Sequence, residues 1–353
     1  MTDQSPDQML RAAAMAPRGP ARPDIASPTP SESPVLLDLL VSARAQETPE
    51  IISLELVAPD GAMLPAHQAG AHVDVHLGDA LVRQYSLCGD PADRSRYRLA
   101  ILLDPRSRGG SQAAHARLVE GAVVRIGAPR NHFPLREDRP RSLLLAGGIG
   151  ITPLLAMAYR LHALGRAFEL RYCTRGQAQT AFADEIAGAG FAAQCHFHYD
   201  DGPEAQRLDL DRLLGDHIER NERPDLYVCG PRGYIDWVVG TAQRLGWPDE
   251  AIHREYFGAE ADLAGDAFTV EARRSGKTVT VGAGQSIAEA LEAAGVAVAL
   301  SCEEGVCGTC MTRVLAGVPD HRDLYLSAAE RASNEAIMIC CSRACSPTLS
   351  LDI

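Results

Sequence analysis

Short segments in which apolar and polar residues alternate dominate the chain from residue 35 to about residue 134. The clearest are residues 51–57, 72–77, 97–103 and 122–126, and glycine and proline residues separate them. Alternation with a period of two is typical of strands with one buried face, and regular turn residues indicate antiparallel connections. We therefore predict an antiparallel β-barrel for this part of the chain.

The pattern changes near Ser142. Residues 143–146 form a fully apolar run, which is followed by a glycine-rich turn and by an amphipathic segment at 152–164. Three further apolar runs alternate with helical patterns, at residues 168–173, 194–199 and 225–229. Buried strands that alternate with helices predict an α/β domain with a parallel sheet.

The C-terminal part begins with a small, acidic connector at residues 258–265. A hairpin pattern follows, with strands at 268–273 and 277–281 and a turn at Ser275-Gly276, and then a helical pattern at 286–294. Residues 1–34 are rich in Pro, Ala, Ser and Asp, which predicts a disordered leader. The predicted division of the chain is a leader at 1–34, a barrel at 35–138, an α/β domain at 139–258, a linker at 259–266 and a third domain at 267–353.

Length and charge narrow the class of protein. At 353 residues the chain is long enough for two or three domains, and its net charge of −12 disfavours nucleic-acid binding. No apolar run approaches the roughly 20 residues that a membrane span needs, and no signal peptide is recognisable. Four of the ten cysteines fit a metal cluster, and the other six have no spacing that suggests disulfide pairs. This favours a reducing cytoplasm over disulfide bonding.

Three cysteines, Cys302, Cys307 and Cys310, have C-x4-C-x2-C spacing, and further cysteines follow about thirty residues later. This spacing is typical of a plant-type 2Fe–2S cluster held by four thiolates. A structural zinc site is the alternative, but zinc sites usually carry two pairs of close ligands. Gly305 and Gly308 are expected to let the backbone approach the cluster. The spacing leaves Cys340, Cys341 and Cys345 as candidates for the fourth ligand.

Two motifs in the barrel point to a flavin. Arg83, Tyr85 and Ser86 place a cation, a ring and a hydroxyl at a strand end, which suits a flavin phosphate, ring and reactive nitrogen. The alternative is an ordinary barrel strand with a surface arginine. The run Arg108-Gly109-Gly110-Ser111 precedes a predicted helix, where backbone donors can hold a phosphate.

Two turns in the α/β part point to a dinucleotide. Gly147, Gly148 and Gly150 follow a buried strand and precede a helix with Pro153 in its first turn, which allows a pyrophosphate to approach the helix N-terminus. Cys229-Gly230-Pro231 ends a later strand of the same predicted sheet, and ligands bind at the carboxyl ends of such strands. The alternative is a pair of ordinary tight turns.

These motifs, in this order, resemble the phthalate dioxygenase reductase family of the ferredoxin–NADP reductase superfamily, which includes reductases similar to that of vanillate O-demethylase. The resemblance covers residues 36–353 and rests on residues 83–88 (RQYSLC), 108–111 (RGGS), 129–135 (PRNHFPL), 146–153 (AGGIGITP), 229–231 (CGP), 301–310 (SCEEGVCGTC), 320–323 (DHRD), 339–344 (ICCSRA) and 351–353 (LDI).

The resemblance implies FMN in the barrel, NADH on the α/β domain and a β-grasp ferredoxin domain at the C-terminus. It implies Cys340 as the last cluster ligand, and Phe257 as an aromatic residue close to the flavin. Thr152 would approach the flavin from the NAD domain, so that Ser86, Thr152 and Cys229 surround the site of hydride transfer. Arg175, after the second strand of the sheet, leaves NADPH open, because no acidic residue there clearly selects NADH.

The predicted function is therefore an NADH-dependent reductase. A hydride passes from NADH to FMN, and single electrons pass to the 2Fe–2S cluster and then to a separate terminal oxygenase of Rieske type that acts on an aromatic acid or a similar molecule. The protein is expected to be a cytoplasmic monomer. Residues 320–323 are expected to be a turn that packs the cluster domain, with partner docking as the alternative.

Two other classes of protein fit parts of the pattern. A flavin and iron–sulfur subunit of another dehydrogenase would share the domain order, but its last cysteine follows the third much more closely than the 29 residues that separate Cys310 from Cys340 here. A redox-sensing 2Fe–2S protein would need neither the flavin motif nor the nicotinamide turn. Bleaching of flavin absorbance by NADH distinguishes an enzyme from a sensor.

Overall fold

A computed structural model describes residues 35–78, 81–105, 109–258 and 262–353. The predicted leader and Arg108 lie outside these residues. The first module of the described chain is an antiparallel sheet with one short helix. Its elements are β1 (Leu36–Thr48), β2 (Ile51–Val57), β3 (Ala71–His76), β4 (Val82–Ser86), β5 (Tyr97–Leu102), α1 (Gly110–Arg117), β6 (Val123–Gly127) and β7 (Arg130–Asn131).

The sheet closes into the predicted barrel. Its strand order is β4-β3-β6-β1-β2-β5, with β7 paired to β3, and a bridge between Leu87 and Leu99 joins the two ends of that path. Strand β1 was not singled out from the sequence. Register shifts near Val41 and Gln46 interrupt its pairing with β2 and break the regular alternation that identified the other strands.

The second module is a five-stranded parallel sheet with the order β10-β9-β8-β11-β12. Its elements are β8 (Arg141–Gly147), α2 (Ile151–Ala163), β9 (Ala167–Thr174), α3 (Ala183–Gly188), β10 (Cys195–Tyr199), α4 (Leu210–Glu219), β11 (Asp225–Gly230), α5 (Arg232–Arg244) and β12 (Ile252–Tyr256). The apolar strand β8 lies at the centre, where both faces are covered. The edge strand β12 was missed, because His253, Arg254 and Glu255 give it a polar composition.

The third module is a mixed sheet with the order β14-β13-β19-β15-β17, in which β13 and β19 are parallel. A capping box formed by Ser286 and Glu289 starts its main helix. The elements are β13 (Phe268–Ala272), β14 (Lys277–Val281), α6 (Ile287–Ala293), β15 (Met311–Ala316), β16 (Pro319–Asp320), α7 (Ala328–Ser333), β17 (Ala336–Met338), β18 (Arg343–Ala344) and β19 (Thr348–Leu351). The predicted α+β class of this module is confirmed.

The barrel and the parallel sheet share one hydrophobic core. Cys88 and Phe133 of the barrel module are buried in the same cluster as Leu144 of β8 and Met157 of α2. Arg98 of β5 forms two hydrogen bonds of 2.7 Å to Glu185 of α3 across this contact. Packing of this kind fixes the strand ends of the two modules relative to each other. The domain boundaries predicted at residues 138, 258 and 266 stay predictions.

No helix in the described part of the chain has the length and apolar character needed to cross a membrane.

A buried carboxylate anchors the start of β11. Asp225 is fully buried, and its oxygens lie 2.9 Å from Arg139 Nε and 3.1 Å from His253 Nε2. Burial acts to raise the pKa of Asp225, but the hydrogen bonds from His253 and Arg139 outweigh it and hold this pKa below its usual value. The carboxylate therefore contributes stability above its ordinary pKa, and this contribution is lost as the pH falls.

We expect Asp225→Ala to lower the free energy of unfolding by about 1–3 kcal/mol at pH 7, because it leaves the side chains of Arg139 and His253 without their hydrogen-bond partner. Thermal melting followed by circular dichroism measures the loss. Asp211→Ala is the matched control: its partner Arg244 is exposed, and a surface pair contributes less than about 1 kcal/mol. Equal effects of the two substitutions would contradict the role given to Asp225.

Candidate functional site

Arg83 and the start of helix α1 form one basic cradle on the barrel. The Arg83 side chain lies over Gly110, so closely that a Cβ atom at Gly110 would be 2.5 Å from Arg83 Nε. Gly109 precedes the helix with a φ of 85°, a conformation that glycine adopts without strain. A guanidinium beside the N-terminus of a helix is suited to a phosphate. Arg108, predicted for the same cradle, lies outside the described residues.

Two other predicted flavin residues lie around this cradle. Tyr85 packs against the barrel core, and burial raises the pKa of its hydroxyl to about 12, so this group stays protonated. Ser111 is buried, and its hydroxyl oxygen accepts a hydrogen bond of 3.1 Å from the backbone N–H of Asp104. Ser111 thus also ties the helix to the loop after β5.

A buried carboxyl group joins the barrel to the end of the parallel sheet. Glu255 of β12 receives a hydrogen bond from Ser86, and it is the direct register partner of Cys229 on β11. Burial raises the pKa of Glu255 to about 8, against the opposing effect of the Ser86 hydroxyl. Among the described residues its Oε2 atom has no hydrogen-bond partner. Glu255 can therefore hold a proton at neutral pH beside Ser86.

Sequence reasoning missed Glu255 as a site residue. The available signal was its position two residues before Phe257, which the family resemblance had placed near the flavin. Phe257 follows β12 directly and is 42% exposed, so its ring is available to cover a ligand. Burial also raises the pKa of Cys229 well above its usual value, with the charge of Glu255 as the second cause. The Cys229 thiol is thus neutral in this environment.

The glycine-rich turn after β8 lies directly against the end of β11. A Cβ atom at Gly150 would be 2.2 Å from the carbonyl oxygen of Cys229, and one at Gly147 would be 3.2 Å from Pro231 Cδ. Only glycine fits the close backbone approach at Gly150. Thr152 is buried at the start of α2 and donates to the carbonyl of Ile149 at 3.0 Å.

The structure thus places the predicted turn residues together at the carboxyl ends of β8 and β11, the edge of the sheet at which a ligand crevice is expected. These residues are Gly147, Gly148, Gly150, Thr152, Cys229, Gly230 and Pro231. Tyr234 of α5, which was not predicted, packs its ring against Gly147 and donates to Cys173 Sγ at 3.5 Å.

An acidic residue stands beside the end of β9, where the sequence showed only Thr174-Arg175. Asp201, which follows the neighbouring strand β10, donates its backbone N–H to the carbonyl of Arg175 at 2.9 Å. Its carboxylate lies over Gly176, where a Cβ atom would be 2.2 Å from Asp201 Oδ2. The sequence next to Thr174-Arg175 contains no acidic residue that clearly selects NADH, but the fold places one beside this position. The parallel pairing of β9 and β10 brings in a carboxylate from the next strand end.

The thiols of the cysteine loop interact with one another. The Cys307 thiol lowers the pKa of Cys302 and the Cys340 thiol raises it, and the pKa of Cys302 is raised overall. Cys302 also raises the pKa of Cys307. Cys302 has the largest single effect on the pKa of Cys340 and lowers it. Cys310, Cys341 and burial raise this pKa, so that it is raised overall. The fold thus brings Cys340 to the loop from 29 residues away.

These contacts distinguish the three candidates for the fourth ligand. The Cys341 thiol is directed at the carbonyl of Met338, at 3.8 Å, and lies behind the loop. Cys345 is exposed. Cys340 is the candidate whose thiol meets those of Cys302 and Cys310, which supports the ligand that the resemblance implied.

The two loop glycines have a reason beyond the predicted approach to the cluster. Gly305 and Gly308 have φ values of 73° and 75°. A Cβ atom at Gly305 would be 2.3 Å from Cys341 Sγ, and one at Gly308 would be 2.4 Å from the Tyr325 ring. The glycines therefore let the loop pack onto the rest of its module.

The donor set fits a 2Fe–2S cluster. Three thiols of one loop and a fourth from a distant residue are soft ligands that match this cluster type. Within the described residues, no group of three or more His, Cys, Asp or Glu side chains is arranged as a site for a single metal ion. The assignment to a two-iron cluster therefore rests on the pairwise thiol contacts and on the loop that carries them.

The turn at residues 320–323 packs within this module and holds the connector. Arg322 donates to the carbonyls of Asp262 and Ala264, the latter at 2.7 Å. The buried Asp323 carboxylate accepts backbone N–H groups of Tyr325 and Leu326. These contacts support the packing role over the docking alternative.

Comparisons with known proteins agree with this arrangement. The family model described as a 2Fe-2S iron-sulfur cluster binding domain matches residues 270–345. The chain is 47% identical to a vanillate O-demethylase oxidoreductase of Pseudomonas sp. (strain HR199 / DSM 7063), covering 90% of this chain and 100% of that protein. It is 38% identical to the phthalate dioxygenase reductase of Burkholderia cepacia, with coverage of 92% and 99%.

A solved structure shows the same module order. The chain matches a structure described as a phthalate dioxygenase reductase, a modular structure for electron transfer from pyridine nucleotides to [2Fe-2S], with a TM-score of 0.68 and 38% identity. The match covers 90% of this chain and 98% of that one. The predicted fold, an antiparallel barrel, a parallel α/β sheet and a ferredoxin-type module, is confirmed.

We expect Cys340→Ser to remove or badly destabilise the cluster, because four thiolates are needed to hold the two irons. Cys341→Ser and Cys345→Ser are the matched controls and should keep it. Iron content and the visible spectrum of the purified variants provide the measurement. Loss of the cluster in Cys341→Ser with retention in Cys340→Ser would shift the ligand assignment by one residue.

Glu255 predicts a pH dependence of stability. Its pKa in the folded protein is raised to about 8 from 4.5. Between these values the folded state therefore binds more protons than the unfolded state, and stability falls as the pH rises. We expect Glu255→Gln to flatten this part of the profile. The change in the free energy of unfolding across it should be a few kcal/mol, because one pKa unit corresponds to about 1.4 kcal/mol. Melting temperatures between pH 5 and pH 8 test this, and parallel profiles of both proteins would contradict it.

Proposed function

We propose, because the chain belongs to the phthalate dioxygenase reductase family, that this protein is an NADH-dependent reductase that delivers electrons to a separate terminal oxygenase. Electrons pass from NADH through FMN to a 2Fe–2S cluster. The observation that carries the proposal is the junction of three sites on one chain: the phosphate cradle of the barrel, the crevice at the ends of β8 and β11, and the cysteine loop. Each site fits one of the three groups that such a transfer needs.

The chain's own residues give these groups their positions. FMN, when bound, would supply the chemistry of accepting a hydride and releasing single electrons. Arg83 and the N-terminus of α1 would hold its phosphate, and Tyr85 would pack on its ring system. Ser86, whose hydroxyl is bonded to Glu255, would lie at the reactive end of the ring, and the raised pKa of Glu255 keeps a proton beside it at neutral pH.

The crevice of the parallel sheet would orient the nicotinamide. Backbone N–H groups of the turn at Gly147–Gly150 would hold the pyrophosphate, and Thr152 and Cys229 would border the reacting end. The neutral Cys229 thiol adds no charge that would repel a hydride donor. Phe257 would cover the flavin from the side of the linker.

The carboxylate of Asp201 supports NADH over NADPH. A carboxylate near the end of the second strand can accept hydrogen bonds from the ribose 2′-hydroxyl, and it repels a 2′-phosphate. The hydrogen bond between the Asp201 N–H and the Arg175 carbonyl holds this carboxylate next to the end of β9. We therefore assign NADH as the electron donor.

The partner assignment rests on the family. The relatives are reductases of oxygenase systems, so the acceptor is proposed to be a terminal oxygenase of Rieske type that acts on an aromatic acid or a similar small molecule. We further propose that the protein acts as a monomer in the cytoplasm, in keeping with ten cysteines that form no disulfide in the described residues.

Anaerobic titration with NADH tests the proposal. The purified protein should release FMN on acid extraction, its flavin absorbance should bleach with NADH, and the electron paramagnetic resonance signal of a reduced 2Fe–2S cluster should appear. Cys340→Ser is the internal control: NADH should still reduce ferricyanide, but reduction of cytochrome c should be lost. FAD in the extract, or a flavin that NADH leaves oxidised, would refute the assignment.

A further inference from the structure

A polar junction connects the barrel to the cysteine loop. Asp74 of β3 and Gln84 of β4 are direct cross-strand neighbours. Asp74 Oδ1 accepts hydrogen bonds from Ser301 Oγ at 2.8 Å and from Gln84 Nε2 at 3.1 Å, and Gln84 Nε2 also donates to Ser301 Oγ at 2.9 Å. The hydroxyl of Ser301 is therefore held by two barrel strands, and Ser301 directly precedes the cluster ligand Cys302.

Arg130 of β7 completes this junction. Its Nη2 atom lies 2.6 Å from Asp74 Oδ2, and both side chains are partly buried. Its Nη1 atom donates to Thr309 Oγ1 at 3.4 Å. Thr309 directly precedes Cys310, and its hydroxyl oxygen lies 3.2 Å from Cys307 Sγ. The Asp74–Arg130 ion pair thus contacts the cysteine loop at Ser301, beside Cys302, and at Thr309, which lies beside Cys310 and bonds to Cys307.

Aromatic contacts support the same approach. The His132 ring, one residue after β7, lies 5.7 Å from the Tyr325 ring, and Tyr325 is the residue against which Gly308 packs. The position of the cysteine loop over β3 and β4 is therefore fixed from two sides. Strand β4 carries Arg83 and Ser86, so the strand proposed to bind the flavin also bonds to the loop proposed to bind the cluster.

We propose that Asp74 is a positioning residue for electron transfer from the flavin to the cluster. This inference rests on the proposed function. Asp74 orders Ser301, Gln84 and Arg130 into one network and so sets the separation of the two redox groups. One electron at a time passes from the two-electron-reduced flavin to the oxidised cluster, and no bond between heavy atoms forms or breaks. Because the rate of such a transfer falls steeply with distance, a loosened junction slows this step and leaves hydride transfer unchanged.

The test compares two activities of the holoprotein. In Asp74→Ala we expect NADH-dependent reduction of ferricyanide, which the flavin module supports, to stay within about twofold of the wild type. Rapid-mixing measurement of cluster reduction by the reduced flavin should show a rate lower by roughly tenfold or more. Asp38→Ala is the matched control, because its ion pair with Arg125 lies on the barrel between β1 and β6, away from the cysteine loop. It should leave both rates unchanged.

A second readout does not depend on activity. Backbone hydrogen exchange of residues 301–310 should accelerate by roughly fivefold to thirtyfold in Asp74→Ala and stay unchanged in Asp38→Ala. Ser301→Ala removes the same bond from the other side and should reproduce both effects, which keeps the test available if Asp74→Ala fails to retain its cofactors.

The outcomes separate the two proposals. If NADH does not reduce the cluster of the wild type at all, the proposed function fails. If the wild type behaves as proposed but the cluster is reduced at the wild-type rate in Asp74→Ala and in Ser301→Ala, the positioning role of Asp74 is overturned. Equal slowing of ferricyanide and cluster reduction would also overturn it, because the damage would then lie in the flavin site.

Discussion

Strand β4 is the element on which the arrangement of the molecule depends, because within three residues it bonds to both other modules. Gln84 donates to Ser301 of the cysteine loop, and Ser86 donates to Glu255 of the parallel sheet. A hydride carrier delivers two electrons and an iron–sulfur cluster accepts one, so a flavin between them must meet both partners. A single short strand that contacts both neighbouring modules provides this arrangement.

The two contacts differ in their physical nature. The barrel and the parallel sheet share a hydrophobic core that includes Phe133 and Met157, and burial of apolar surface of this kind stabilises a fixed relative position. The contact with the cysteine loop is polar, with Asp74 and Arg130 as its charged members. Buried or partly buried ion pairs are weak evidence for stability, because desolvation offsets much of the attraction between the charges. The first contact holds the modules together, and the second sets the position of the loop.

Burial also determines the protonation of the proposed hydride-transfer site. Glu255 and Cys229 are register partners at the ends of β12 and β11, and burial is the main cause of the raised pKa of each. The site therefore holds two neutral acids where the sequence shows a charged and a weakly acidic side chain. A neutral environment allows a hydride donor and a flavin ring to approach without an uncompensated charge.

The sequence by itself determined the module order, the barrel, the parallel sheet, the two glycine-rich turns and the cysteine loop, because these follow from periodicity, turn chemistry and cysteine spacing, which are local properties of the chain. The choice of Cys340 as fourth ligand, the role of Thr152 and the place of Phe257 near the flavin came from the family resemblance and from no local pattern. The cysteine loop and the turn at Gly147–Gly150 lie where those patterns indicated. Only the tertiary structure brought Asp201 to the end of β9, Glu255 to Ser86 and Asp74 to Ser301. Each of these pairs joins residues on different strands or modules, and their proximity depends on strand order and register, which no local pattern contains. The same reason explains the edge strand β12: its polar residues belong to a strand because β11 pairs with them, so its own composition gave no sign of it.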